Sequence, residues 1–372
     1  VYNSAVHTAA VISDGASAGL VKDALASAEP RPGGRESFSA EELAVVLSHF
    51  ELGAIESISE FARGSRKSPK ALVTAQQGRF ILKKRARGRD DPYRVAFAHA
   101  LQLHLATRRF PLPHLIGTRK ENNSMLQWRG GVYELFEYIP GQTYPQTLET
   151  THDAGRVLAV YHKLTESFKT QWKSAVGSYH DAPVVQAALG QISAATGGSP
   201  LLDSLKGLYT AAAGRAEALG ISRWPVQIAH ADWHPGNMLF RDNHVVAVID
   251  YDSARYLPRV SDVANGALQF SILGGSGELA TWPEHLDEVR FTRFLAGYDS
   301  ESVLSTGELS AIPWLMIEAL IAEAAFPIAA TGAFGKLEGM EFLEMVNRKT
   351  TWMQTHADEL TQQALAHLPQ RP

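Results

Sequence analysis

Two apolar runs, "VQIA" at 226–229 and "MLF" at 238–240, enclose the polar loop "HADWHPGN" at 230–237. A third run, "HVVAVID", follows directly after the turn signal "RDN". Runs this short and apolar read as buried strands, and a three-residue turn makes the last two an antiparallel hairpin. That hairpin carries Asp250, at the end of the third run, back beside Asn237 at the start of the second. Pro235 and Gly236 argue that the segment between the first two runs is a loop. The chain is therefore committed to a small buried β structure that presents His230, Asp232, His234, Asn237, Asp250 and Asp252 near one another.

The rest of the chain has to wrap this structure. Ahead of it, "AIESISEF", "KALVTA" and "RFILKK" read as strands joined by "ARGSRKSP" and the tight "QQG". The helix "PYRVAFAHALQLHLATRR", stopped by "FPLP", and a second hairpin, "SMLQWRGGVYELFEYIPG", come next. Before the strands, "SFSAEELAVVLSHFEL" starts a helix with Ser39 as N-cap and Glu42 three residues on. Beyond Pro140-Gly141 the pattern turns helical: "HDAGRVLAVYHKLT" puts Ala154, Val157, Leu158, Tyr161 and Leu164 on one face. Strands return only around the polar loop, and everything after 261 reads as helix. The division is a peripheral tail over 1–37 with one weak helix around "GLVKDALASA", a β-rich lobe over 38–139, and a helical lobe over 140–372. At 372 residues with 45% hydrophobic and 20% charged content, two lobes of an ordinary globular enzyme fit better than one core.

The chemistry of the loop admits two readings. Asn237 and Asp250 supply an amide oxygen and a carboxylate, which suits magnesium, an ion that keeps waters and takes its other ligands from phosphates. Asp232 is then free to accept a proton from an attacking hydroxyl. On the strand "RFILKK", Ile81 and Lys83 share one face and Lys84 the other, so Lys83 is the ammonium available to nucleotide phosphates. The competing reading is a transition-metal cage of His230, Asp232 and His234, alternating on one strand.

"HADWHPGNMLF", "AVIDYDSA", "RFILKK" and "RVLAVYHKLT", in this order and spacing, resemble the aminoglycoside phosphotransferase and choline kinase superfamily. The resemblance covers roughly residues 40 to 355, and "EELAVVLSHFELGAIESI" with "HLATRRFPLPHLIGT" is similar to the homoserine-kinase-like branch. It implies an α+β, bilobal, protein-kinase-like fold with ATP between the lobes. By the same resemblance Asp232 is the catalytic base, His230 braces its loop, and Asn237 and Asp250 are the magnesium ligands. Lys83 binds phosphate, and Asp262 is structural. "ELFEY" is the inter-lobe linker, so the backbone around Glu137, Tyr138 and Ile139 meets adenine. Two departures stand out: Ala98, beside His99, occupies the place of a helix glutamate that pairs with the lysine. The phosphate loop "RGSRKSPK" has one glycine, leaving Gly64 and Ser65 to cradle phosphate.

The expected activity is ATP- and Mg2+-dependent transfer of the γ-phosphate to a hydroxyl of a small acceptor. Trp233, His234, Asp252 and Arg255 are the acceptor-side candidates, and Arg255 and Arg259 the only nearby groups for a substrate carboxylate. The alternative is a nucleotide-binding pseudokinase that engages another protein. Residues 276–360 hold 14 acidic against 5 basic side chains, which favours a cationic or polyhydroxylated acceptor. A net charge of −4 argues against a nucleic-acid partner. With no cysteine, no signal-like start in "VYNSAVHTAAVISDG" and no apolar stretch of membrane-spanning length, the expectation is a cytoplasmic protein without a membrane partner.

Overall fold

The computed structural model describes residues 36–62, 66–275 and 277–366. The tail before residue 36, with its expected helix, and the phosphate-loop residues Gly64 and Ser65 lie outside the described residues.

Helix α1 (Ala40–Leu47) opens with the capping box that the Ser39 and Glu42 spacing predicts. Strands β1 (Ile55–Glu60), β2 (Lys70–Ala75), β3 (Gly78–Lys84), β4 (Leu126–Trp128) and β5 (Gly131–Glu137) form one antiparallel sheet in the order β1-β2-β3-β5-β4. Alternation along the strands gives this sheet two unlike faces. Ala71, Val73, Ala75, Phe80, Leu82, Tyr133 and Leu135 pack with Val46 and Leu47 of α1 in a small core. Lys84 belongs to that side too: its Nζ lies 2.7 Å from Glu42 Oε1, which also accepts from the Tyr133 hydroxyl at 2.5 Å. The opposite face carries Lys70, Lys83 and Glu134. Lys83 and Lys84 thus part company as the period of two requires.

Helix α2 (Pro92–Ala106), capped by Asp91, buries Phe97, Leu101 and Leu105 in the larger core. That core is built by α3 (Leu148–Thr165), α4 (Pro183–Thr196), α5 (Pro200–Leu219), α6 (Arg259–Ser271), α7 (Glu288–Asp299), α8 (Thr306–Thr331), α9 (Gly339–Thr355) and α10 (Ala357–Ala366). Helices α3 and α7 meet with almost no side chain between them. A Cβ on Gly155 would come within 2.0 Å of Phe294 O, and one on Gly297 within 1.9 Å of His152 O.

Two expectations need correcting. Helix α8, 26 residues long, is apolar enough to cross a membrane by length and composition. Its 18-residue apolar window is 89% buried against neighbouring helices, so its apolar character is spent on the core. Strands also extend further than expected. Besides β6 (Val226–Ala229), β7 (Met238–Arg241) and β8 (His244–Val248), a fourth strand, β9 (Arg255–Pro258), pairs antiparallel with β6. Its register sets Arg255 opposite Ala229. A two-residue ribbon, β10 (Ala333–Phe334) with β11 (Leu337–Glu338), interrupts the final helices.

Candidate active site

The loop after β6 is held by one carboxylate. Asp262, in the first turn of α6, accepts the backbone amides of His230 (2.6 Å) and Ala231 (2.7 Å). His162 Nε2 steadies Asp262 at 3.2 Å, and its own Nδ1 meets the Tyr298 hydroxyl at 2.8 Å. This grip keeps Ala231 at φ 58°, a left-handed conformation disfavoured for alanine. His230 is fully buried among the rings of Trp233, Tyr251 and Tyr161. Burial pushes its imidazole below the usual range, against Asp262, Asp250 and the Ile249 backbone.

Asn237 and Asp250 come together through the hairpin. Met238 pairs with Val248, and Ile249 N donates to Asn237 O at 2.9 Å, one step beyond the ladder. Asn237 Nδ2 donates to Asp232 O (3.0 Å) and Asp232 Oδ2 (2.9 Å). Among the described residues the Asn237 side chain makes hydrogen bonds only through Nδ2, and Asp232 Oδ1 is buried with no hydrogen-bond partner. The two aspartates are driven apart electrostatically. Burial first, then the charge of Asp250, pushes Asp232 up to about 8. Asp250 bears its own burial but is held below the usual carboxylate range by Lys83, Lys70, Arg85 and Arg89. One carboxylate disposed to take a proton and one that stays ionised is a division of labour suited to acid–base chemistry beside a cation.

The sheet contributes the opposing charge. Lys70 and Lys83 stand in register on adjacent strands, and Arg85 follows Lys83 by two residues. Arg85 forms a bidentate pair with Asp252 at 2.8 Å for both bonds, and donates to Glu134 at 2.7 Å. Arg89, in the loop before α2, feels Asp250, Asp252 and Asp232 against its own burial. Sequence reasoning passed over Arg85, Arg89 and Glu134. The missing signal was the register of β3 with β5, which sets Lys83 opposite Glu134. Glu134, read as part of the linker, is a fully buried strand residue. The helix side chain that reaches it is His99 and not Ala98, with Nε2 at 2.6 Å.

The linker narrows in the same way. The amide of Glu137 donates to His114 O and that of Tyr138 to Arg79 O, both at 2.9 Å. Ile139 retains a backbone N–H with no such partner among the described residues.

Three of the four acceptor-side candidates are occupied otherwise. Trp233 is fully buried against His230 and Tyr161. His234 Nδ1 accepts from Gly236 N at 3.0 Å, capping the turn at Pro235–Asn237, and burial drives its imidazole down to about 3. Among the described residues no three His, Cys, Asp or Glu side chains are grouped so that they could hold a metal ion, which leaves the metal-cage reading without support. Asp252 is taken by Arg85. Arg259 also drops out as a carboxylate clamp, because Glu308, Ser302 and Val303 O consume its guanidinium. Arg255 remains. It is 6% exposed, donates to Ser253 O and Gly177 O, and has no carboxylate within ion-pair distance among the described residues. It lines a cavity with Ala231, His180, Ser261, Asn265 and Glu318. The Asn265 Oδ1 and Ser261 Oγ atoms, both buried, have no hydrogen-bond partner among the described residues.

A family model described as "Phosphotransferase enzyme family" matches residues 57–304 of the chain. Homoserine kinase of Phenylobacterium zucineum is 26% identical over 284 residues, covering 74% of this chain and 80% of that protein. Homoserine kinase of Rhodopseudomonas palustris is 28% identical over 294 residues, with the same coverage. Among solved structures, an aminoglycoside phosphotransferase from Alicyclobacillus acidocaldarius superposes with a TM-score of 0.63 at 20% identity, over 90% of this chain and 100% of that one. A microcompartment-associated aminopropanol kinase superposes with a TM-score of 0.62 at 14% identity, over 87% and 99%. At these identities the solved structures speak to the fold.

Proposed function

Because the chain belongs to the phosphotransferase enzyme family and is a small-molecule kinase acting on hydroxyl groups, we propose that its acceptor is a small amino acid alcohol and its donor Mg-ATP, with Asp232 as base. The observation that carries this reading is Arg255, a buried cation beside the loop with no carboxylate within ion-pair distance among the described residues. A substrate carboxylate is the group that completes it. Asn265 Oδ1 would accept from the substrate ammonium, and the hydroxyl would reach Asp232. The homoserine kinases among the relatives act, by name, on a molecule with these three groups.

The residues at the loop fit a magnesium ion: an Asn237 amide oxygen that makes no hydrogen bond among the described residues, and an Asp250 carboxylate held below the usual range. When bound, the ion would neutralise charge on the β- and γ-phosphates. Lys83 and Lys70 would meet the phosphates from the sheet, and the Ile139 N–H would read the adenine edge. Asp232 takes the proton as the acceptor O–H bond breaks, and the oxygen bonds the γ-phosphorus. The bond from phosphorus to the β,γ-bridging oxygen breaks in line, and ADP leaves.

The test is ATP turnover with homoserine, aminopropanol, choline and an aminoglycoside, with and without magnesium. Homoserine should give the highest kcat/KM, and only with magnesium. Absence of turnover with every acceptor would favour a nucleotide-binding module instead. Arg255→Met should raise the KM for homoserine by about 10- to 100-fold, the worth of a charged hydrogen-bonded contact, while leaving the KM for ATP unchanged. Aminopropanol lacks the carboxylate and should be little affected. Equal losses on both acceptors would remove the clamp from the reading.

A further inference from the structure

The site face of the sheet sets Lys70 beside Lys83, with Arg85 close by. Like charges in adjacent register repel, so this arrangement requires a compensating anion within the protein. Helix α2 does not supply one, since no Asp or Glu falls within Pro92–Ala106. Two carboxylates face Lys83: Asp252, whose Oδ2 lies 3.9 Å from its Nζ, and the buried Glu134 of β5. Glu134 is in register with Lys83 and fully buried. Its Oε1 accepts from Arg85 Nη2 (2.7 Å) and His99 Nε2 (2.6 Å), and His99 Nδ1 is seated on Ser124 Oγ at 2.8 Å. Its Oε2 has no hydrogen-bond partner among the described residues and lies 3.6 Å from Lys83 Nζ. Lys83 is thus tethered without being saturated, and its ammonium keeps donors for a ligand.

We infer that Glu134 positions Lys83 for the nucleotide phosphates, and that Arg85 carries the same constraint across to Asp252, two residues beyond Asp250. The inference rests on the reading of Lys83 as a phosphate-binding residue. A strand carboxylate cannot swing away with a helix, so the lysine is set by the sheet's own register. Through Arg85 and its bidentate pair, the sheet and the loop that ends at Asp252 share one anchor.

The test compares Glu134→Gln, Glu134→Asp and Lys83→Ala by Mg-ATP titration calorimetry on folded protein, together with steady-state kinetics. Glu134→Gln should raise the Kd and KM for Mg-ATP by about tenfold or more, with the acceptor KM within about twofold of wild type. A role confined to stability would lower the melting temperature and leave the Kd of the folded fraction unchanged. If removing the charge prevents folding, Glu134→Asp retains it and only withdraws the carboxylate, and its Kd should still rise severalfold. Adding His99→Glu to Glu134→Gln returns a carboxylate from the helix side and should recover part of the affinity. A Kd within twofold of wild type in a folded Glu134 variant, while Lys83→Ala loses binding, would overturn the inference. Full binding by Lys83→Ala would instead remove the premise about the lysine.

Discussion

Asp232→Asn should lower phosphoryl transfer by about 10²- to 10⁴-fold while leaving Mg-ATP affinity within a few-fold of wild type, the range expected for losing a positioned base. The substitution is nearly isosteric, and one side-chain atom can still pair with Asn237 as Asp232 Oδ2 does now at 2.9 Å. What disappears is a proton acceptor at the position of Oδ1, the buried atom with no present partner. Burial and the charge of Asp250 raise the proton affinity of Asp232, which makes its ionised carboxylate a stronger base. His234→Ala is the contrasting variant. His234 Nε2 stands 3.7 Å from Asp232 Oδ1, but its committed role is the cap on Gly236, so it should cost no more than about tenfold. Rapid-quench measurement of the transfer step checks both. A transfer rate above a tenth of wild type in Asp232→Asn would place the base elsewhere, and parallel losses in the two variants would point to a shared structural role.

The parts of this site that could be read from sequence are those set by local periods. The alternation that separates Lys83 from Lys84 acts over adjacent residues, and the structure sends one to the site face and the other to Glu42. The hairpin that returns Asp250 to Asn237 needs only the turn at Asp242 and Asn243, both left-handed at φ 52° and 65°. Asp262 was legible by resemblance, and its two amide contacts give the physical reason for that residue. Register between distant strands was not legible. Nothing local in "YELFEY" separates a strand end from a linker, so the pairing of Glu134 with Lys83 was missed. The strand "RYLP" is four residues ended by proline and is stabilised by β6, which lies far away in sequence. On α2, neighbouring residues point about 100° apart around the helix. That is the difference between Ala98 in the core and His99 on Glu134. Asp252 likewise takes its partner, Arg85, from a segment far away in the chain.

Asp250→Asn should separate nucleotide binding from its magnesium dependence, with a fall in transfer of about 10²-fold or more from the lost electrostatic stabilisation. Asp250 sits at φ 65°, ψ 73° at the start of the turn Tyr251–Ser253, a left-handed conformation that aspartate and asparagine tolerate better than most residues. Asparagine therefore suits the backbone, and the variant tests the charge alone. In wild type that charge faces Lys83, Lys70, Arg85 and Arg89. Removing it leaves four cations with less compensation, so free ATP, a polyanion, should bind the variant at least as well as wild type. Magnesium acts in the opposite sense, since a site with only the Asn237 amide oxygen and a neutral residue 250 holds a divalent cation poorly. A ligand that binds only the folded state raises the melting temperature by mass action. Wild type should accordingly show a larger shift with ATP and magnesium than with ATP alone. Asp250→Asn should show a shift with ATP alone that magnesium does not enlarge. A magnesium increment in the variant equal to that of wild type would remove Asp250 from the metal site, whatever happens to turnover.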